Sequence, residues 1–331
     1  MKKLTSYIQL SLWALLSLST LSCGNRTNSA SGTSQRADAA KASVRQFPSV
    51  TPPAMLQEPE EIFEYLTLHF WDSFFASQDF LSDSLHVAGV ETGELEQNFS
   101  NYIYLLENVP YKTACEGLKS LAGKIESCES ADTSSNVFNS FVRIAEKYLF
   151  DPNSPMRNED LYQPFAEMLS GSAHLDRAVK ERYAYVSEMC SLNRVGTKAA
   201  DFRFCDRRGR SHTLYGIKSD YTLLFFSNPG CASCLEIINS LKADPKVTRM
   251  IADRALSVLN IYIDEDLQGW RDYMPIYPEE WYNGFDPDLV IRTDRIYNVR
   301  AIPSLYLLDK NKTVLLKDAT TEKLFAYISK I

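Results

Sequence analysis

Two cysteines separated by two residues, Cys231-Ala232-Ser233-Cys234, stand between an apolar run, Thr222 to Phe226, and a stretch in which Leu235, Ile238 and Leu241 recur at helical spacing. A strand, a turn and a helix around such a pair is the arrangement that dithiol chemistry requires. A helix that opens at the first cysteine places its sulfur where the helix dipole and free N–H groups favour negative charge, which raises the thiolate fraction at neutral pH. Such a sulfur both attacks and leaves well in disulfide exchange. Cys231 is therefore expected to be the nucleophile, and Cys234, one turn further in, the thiol that resolves the mixed disulfide. Two other uses of the pair are half of a zinc site or a pair of inert buried thiols. Zinc needs about four ligands. The sequence holds no second CxxC, and His69, His86, His174 and His212 form no ligand-spaced pair.

The elements that would position this pair begin after Asn193, where the apolar period changes from helical to alternating or continuous. Phe202 to Cys205 and Ser211 to Leu214 flank Arg207-Arg208-Gly209 and read as a hairpin. Tyr221 to Phe226, Leu256 to Ile263, Leu305 to Leu308 and Val314 to Leu316 read as strands, with helices at 232–243, 245–253 and 321–329. Strands alternating with helices indicate an α/β sheet. Upstream, from about residue 56 to 190, the spacing is helical throughout. Ile62, Tyr65, Leu66, His69 and Phe70 share one face, as do Phe138, Phe141, Val142, Ala145, Tyr148 and Leu149. Asp151-Pro152-Asn153-Ser154-Pro155 breaks that pattern, and Asn158 before Glu159 and Asp160 reads as the capped, acid-rich start of another helix carrying Leu161, Phe165, Met168 and Leu169. Val179, Arg182, Tyr183 and Val186 follow in a further helix.

The chain begins with two lysines and an apolar stretch, Leu4 to Leu21, broken only by hydroxyl residues and Gln9, and then Ser22-Cys23-Gly24. This is the pattern of an export signal, too short and polar for a comfortable membrane span. A cysteine directly after the cut resembles the lipobox of bacterial lipoproteins, with Thr20 departing from the usual Leu. The expectation is a lipid on Cys23 and a location in the cell envelope on the periplasmic side, the choice between inner and outer membrane left open. The following residues, rich in Ser, Thr, Ala and Asn, offer little to bury and read as a tether. The expected division is 1–22 signal, 23–50 tether, 51–192 helical domain and 193–331 α/β domain. The formal charge is -7, and loss of Lys2 and Lys3 with the signal leaves -9. That balance argues against nucleic acid as a partner.

Thr222 to Cys234 (TLLFFSNPGCASC), together with Ala301-Ile302-Pro303-Ser304-Leu305-Tyr306-Leu307-Leu308-Asp309, resembles the thioredoxin fold. It is similar above all to the envelope-tethered thiol-disulfide interchange and redoxin proteins. The resemblance covers about residues 195 to 331. It implies a central mixed sheet flanked by helices, exchange with protein disulfides, a membrane electron donor and no dissociable cofactor. It also implies that Pro303 follows a cis bond and lies against the dithiol, with Ile302 beside it. The helical half resembles the domain of unknown function that precedes such redoxin domains in some anaerobe lipoproteins. The similar residues are Phe70-Trp71-Asp72, Tyr148 to Pro155 and Asn193 to Thr197, whose ordinary reading is helix packing and interdomain docking. The fold class expected is thus α/β with an all-α N-terminal domain.

Two positions depart from the family pattern. Gly230 stands where thioredoxins usually have Trp, and Phe225 where they carry a buried Asp that helps deprotonate the second thiol. Glu236 lies close by as a candidate substitute, or as a solvated helix carboxylate. Asp264, Glu265 and Asp266 read as a helix-capping loop. Four more cysteines, Cys115, Cys128, Cys190 and Cys205, allow three disulfide pairings or none, with Cys115–Cys128 and Cys190–Cys205 closing the shortest loops. A thiol peroxidase is disfavoured because Asn228 and Leu224 occupy the places of the Thr and Pro that such sites need. An envelope binding module that uses the redox fold as a scaffold remains the non-enzymatic alternative.

Overall fold

The computed structural model describes residues 43–76 and 80–331. The expected signal, Cys23 and most of the tether lie outside them. Both halves of the chain belong to one compact unit that runs to Ile331. Among the described residues no helix is long and apolar enough to cross a membrane.

The first half is built from α1 (Pro59–His69), α2 (Asp72–Phe75), α3 (Thr92–Glu107), α4 (Tyr111–Ala131), α5 (Val137–Ala145), α6 (Glu159–Gly171) and α7 (Arg177–Ser191). Its core is aromatic: Trp71, Phe74, Phe99, Tyr102, Phe141, Tyr162 and Phe165 are buried in one cluster with Leu118, Ile125 and Leu149. Each fully buried ring of this size contributes about 2–3 kcal/mol. Phe138, Phe141, Ala145 and Leu149 form the expected inner stripe, and the Asn158 side chain caps α6 by accepting from the Leu161 N–H at 3.2 Å. The α1 face is shallower than its spacing suggests. Thr67 is its one fully buried residue, while Phe63 and Leu66 pack half-exposed on the cluster. The half is not wholly helical. His86–Val87 (β1) and Val90–Glu91 (β2) pair as a small hairpin, closed by Ala88 and Gly89, both at positive φ, the conformation a two-residue hairpin turn demands.

The second half is a seven-stranded sheet in the order β4-β3-β7-β6-β5-β8-β9, formed by β3 (Arg203–Asp206), β4 (Ser211–Thr213), β5 (Tyr221–Phe226), β6 (Leu256–Tyr262), β7 (Tyr282–Phe285), β8 (Ser304–Asp309) and β9 (Val314–Leu316). β5 pairs parallel to β6 and antiparallel to β8, so the sheet is mixed. The side-chain alternation of strands splits its core into two layers. Leu223, Phe225, Val258, Leu305 and Leu307 face α8 (Ala232–Ala243) and α12 (Thr321–Ile328). Leu224, Phe226, Leu259, Ile261, Tyr306 and Leu308 face the other way. Cover on both sides, by these two helices on one face and by Leu214, Ile217, Ile291 and Tyr297 on the other, explains why these strands read as unbroken apolar runs.

α9 (Pro245–Ala252) follows α8 directly, α10 (Leu267–Tyr273) links β6 to β7, and α11 (Val290–Thr293) follows β7. β7 is not foreseen in the sequence, because Asn283-Gly284 looks like a turn. Gly284 is there for space: a Cβ would lie 2.7 Å from Phe204 Cδ2 and 2.8 Å from the Cys205 carbonyl oxygen of neighbouring β3.

The linker between the halves also joins the sheet. The Gly196 N–H donates to Val314 O at 2.8 Å, Val314 N–H to Thr197 O at 2.8 Å and Ala199 N–H to Lys312 O at 2.9 Å, extending the pairing beyond β9.

Candidate functional site

β5 ends at Phe226, and the chain turns through Ser227-Asn228-Pro229-Gly230 into α8. Gly230 has φ +74°, with nothing within 4 Å of where a Cβ would lie. Backbone conformation, not crowding, therefore requires glycine here, and a Trp at this place would be strained. Cys231 is the N-cap of α8: its Sγ accepts from the Cys234 N–H at 3.2 Å, so the helix end acts directly on that sulfur. Cys231 is half-buried and Cys234 is 1 % exposed. Both are free thiols. Burial, and then the hydrogen bond with Cys231, push the Cys234 thiol up to about 12, while the Asn228 backbone N–H acts in the opposite sense. The two sulfurs thus differ in access, and the inner one holds its proton.

The register of β8 against β5 pairs Ser304 with Phe226, so Pro303, immediately before Ser304, falls at the same sheet end as the loop leading to Cys231. The Ile302–Pro303 bond is cis. Ile302 and Cys231 both pack, half-buried, on the apolar cluster that encloses Cys234. Beneath lies a strip of buried polar side chains. Ser227 Oγ donates to Asn260 Oδ1 in β6 and lies 3.3 Å from Tyr277 Oη, and Asn260 Nδ2 donates to Asn283 Oδ1 in β7 at 3.2 Å. Asn283 Nδ2 ends the chain on the Pro278 carbonyl at 2.7 Å. Burial raises the Tyr277 phenol, with Ser227 and Asn260 opposing, so Tyr277 stays a neutral hydroxyl near Cys234.

The domain of unknown function DUF5106 matches residues 22–193, just over half of the chain. A thioredoxin-like protein from Bacteroides caccae of known crystal structure is similar over 87% of this chain and 99% of its own, at 37% sequence identity and a TM-score of 0.75. The chain belongs to the DUF5106 family, and its second half is thioredoxin-like. The C-terminal domain of an uncharacterized protein from Bacteroides fragilis is 50% identical over 41% of this chain and 98% of its own, with a TM-score of 0.41. No curated protein matches the sequence.

Within this DUF5106 protein the structure brings Cys231, Cys234, Ile302 and Pro303 to one end of the sheet. It places Glu236 elsewhere: the side chain is on the exposed face of α8, away from the buried polar strip. Phe225, where thioredoxins carry the Asp, is itself fully buried in the cluster with Cys234. The acidic loop divides its work. Asp266 caps α10 by accepting from the Gly269 N–H at 2.9 Å, as expected of such a loop, whereas Asp264 accepts from Asn228 Nδ2 at 2.8 Å and so braces the turn before the dithiol. Ser227, Asn260 and Tyr277 go unnoticed in the sequence, and Asn228 is noticed only as a departure from the peroxidase pattern, since isolated polar residues beside apolar runs carry no spacing signal.

Cys115 and Cys128 lie on the same helix, thirteen positions apart. At 1.5 Å per residue that is about 20 Å, too far for a disulfide. This corrects the shortest-loop pairing, and Cys190 and Cys205 are likewise free thiols. Among the described residues no group of three or more His, Cys, Asp or Glu is placed to hold a metal ion.

Proposed function

We propose that this protein is a thiol-disulfide oxidoreductase of the bacterial cell envelope, anchored by a lipid on Cys23, that reduces protein disulfides through Cys231 and Cys234. The observation that carries the reading is the N-cap sulfur of Cys231, held by the Cys234 N–H beside the Ile302–Pro303 segment. In the first step the Cys231 thiolate attacks one sulfur of a substrate disulfide. The substrate S–S bond breaks, the departing thiolate takes up a proton, and a mixed disulfide with Cys231 remains. Cys234 then gives up its proton and attacks Cys231 Sγ, which releases the second substrate thiol and leaves a Cys231–Cys234 disulfide. Two electrons have passed to the substrate, and a membrane dithiol donor returns them to the pair. No dissociable cofactor enters this cycle.

Reduction is favoured over oxidation because Ala232 and Ser233 add no positive charge to the Cys231 sulfur, leaving the helix end as its main support. A potential nearer the roughly -270 mV of thioredoxin than the -120 mV of a strong periplasmic oxidant follows. Insulin reduction by wild type beside Cys231→Ser tests the activity, with loss to background expected in the variant. Cys234→Ser should accumulate mixed disulfides with client proteins. Equilibration with defined glutathione mixtures tests direction, and a midpoint above about -180 mV would reverse it. For the anchor, Cys23→Ala should release soluble protein into the periplasm.

A further inference from the structure

The segment that carries Ile302 and Pro303 is fastened at both ends, at its start directly by the helical half and at its far end by Asp318, which the helical half holds in turn through Arg157. At its start, Arg300 Nε donates to Glu159 Oε1 at 2.6 Å, Nη2 reaches Asp318 Oδ2 at 3.4 Å, and Nη1 donates to the Phe150 carbonyl oxygen. The guanidinium also lies over the Phe150 ring, 4.3 Å from its centroid. The Phe150 carbonyl is available because the chain there makes a wide turn, with Asp151 N–H bonded to Glu146 O at 2.8 Å, instead of continuing α5. Asn298 Nδ2 donates to the same Glu159 oxygen at 2.7 Å. At the far end, Ser304 Oγ donates to Asp318 Oδ1 at 2.7 Å, and Asp318 is held in turn by Arg157 Nε, 2.9 Å from its carbonyl and 3.2 Å from its carboxylate. Lys317 Nζ closes the network at 3.1 Å from Glu159 and 3.2 Å from Asp160.

One carboxylate, Asp318, therefore meets both ends of the segment, and it does so from a left-handed backbone, φ +43°, that a non-glycine residue adopts only when its surroundings enforce it. Between the two pins Ala301, Ile302 and Pro303 stay half-exposed. The network comprises Arg157, Arg300 and Lys317 against Glu159, Asp160 and Asp318, so its formal charges balance, and burial pushes the Glu159 carboxyl upward against the pull of Lys317 and Arg300. Buried ion networks add little stability over an apolar contact of the same volume. A contact needed only to hold two halves together would not require them. The best-attested use of such networks is to specify geometry.

We propose that the DUF5106 half is a positioning domain for the 301–303 segment, with Glu159 and Asp318 as positioning residues. It acts on recognition of polypeptide disulfides, not on the reactivity of Cys231. The proposal rests on the dithiol reading above. The mechanism is indirect: an extended substrate chain lies along the segment, whereas a small disulfide needs only the Cys231 sulfur.

The test compares two substrates in the full chain. Glu159→Gln keeps the volume and removes the charge. Glu159→Gln/Lys317→Gln keeps the network neutral and guards against misfolding from the excess positive charge that the single variant leaves. In both variants kcat/KM for insulin should fall about tenfold or more, as misplacing a binding element does. The rate with hydroxyethyl disulfide and the alkylation rate of Cys231 should stay within about twofold, and backbone hydrogen exchange at residues 300–304 should quicken. Unchanged insulin kinetics would overturn the proposal, and so would an equal fall with both substrates, which signals general loss of fold. If wild type reduces neither substrate, the oxidoreductase reading fails on its own. Hydrogen exchange then decides the positioning role, and unaltered protection at 300–304 in Glu159→Gln would refute it.

Discussion

The two halves of the chain bury different things. The helical half packs rings against rings: Trp71 meets Phe74, Tyr102 and Phe141 at centroid distances of 5.7, 5.6 and 5.1 Å. Its cysteines in this core are quiet, with burial pushing the thiols of Cys128 and Cys190 upward, Cys190 to about 12. The thioredoxin-like half places polar groups inside its sheet and connects them. Ser227, Asn260 and Asn283 form one chain, and the buried Lys312 ammonium donates to Thr222 Oγ1 at 2.8 Å. The difference teaches that burial alone shuts a cysteine away, while a helix end and half-exposure leave the Cys231 sulfur open to a reaction partner. Cys190 and Cys234 share a raised pKa, but only Cys234 sits one turn from an accessible sulfur.

Three substitutions sharpen this contrast, and they are ordered by expected size. Phe99→Ala in the aromatic core should cost about 3–5 kcal/mol, measured by urea denaturation of the full chain. A loss under about 1 kcal/mol would mean that the ring cluster is not the stabilising core of this half. Asn260→Ala removes the middle of the polar chain, leaving Ser227 and Asn283 without their partner, and should cost about 1–3 kcal/mol. The two values should come closer together if the strip is mere packing, and Asn260→Val would then rescue stability.

The smallest effect belongs to the hairpin turn at Asp206. Burial alone would raise its carboxyl. Hydrogen bonds from the Arg210 backbone and guanidinium, from His212 and from the Arg208 N–H instead hold it well below the usual carboxylate range. A depressed carboxylate contributes stability above its unfolded pKa, about 3.9, and loses it as pH falls toward the folded value. Asp206→Asn should therefore cost about 1–2 kcal/mol at pH 7. The gap between variant and wild type should hold down to about pH 4 and narrow below it. A gap that widens in acid would give the opposite sign.

Much of this was legible in the residues. The run Thr222 to Phe226 declares a strand covered on both faces, and Asn158 before two acids declares a helix start. What was illegible depends on contacts distant in sequence. Glu159 and Asp160 look like ordinary first-turn acids, because nothing near them announces Arg300, which lies 141 positions away. β7 hides because the glycine that lets it approach β3 looks like a turn residue. Phe225 signals correctly that the thioredoxin carboxylate is gone. The Ser227–Asn260 pair joins the turn after β5 to β6, two strands whose parallel register only the fold displays.

The linker that runs beside β9 has a consequence for solubility. An unpaired strand at the margin of a sheet presents a row of free N–H and C=O groups, a template on which another chain can add. Here Gly196, Thr197 and Ala199 occupy that row along 312–314, so the residues joining the halves also seal one margin of the sheet. At the opposite margin β4 is three residues long and carries His212, which lies 3.1 Å from the Asp206 carboxylate. A thioredoxin-like half cut free at residue 193 keeps its seal. One cut at 201 bares the margin and is exposed to strand-by-strand association with its own copies.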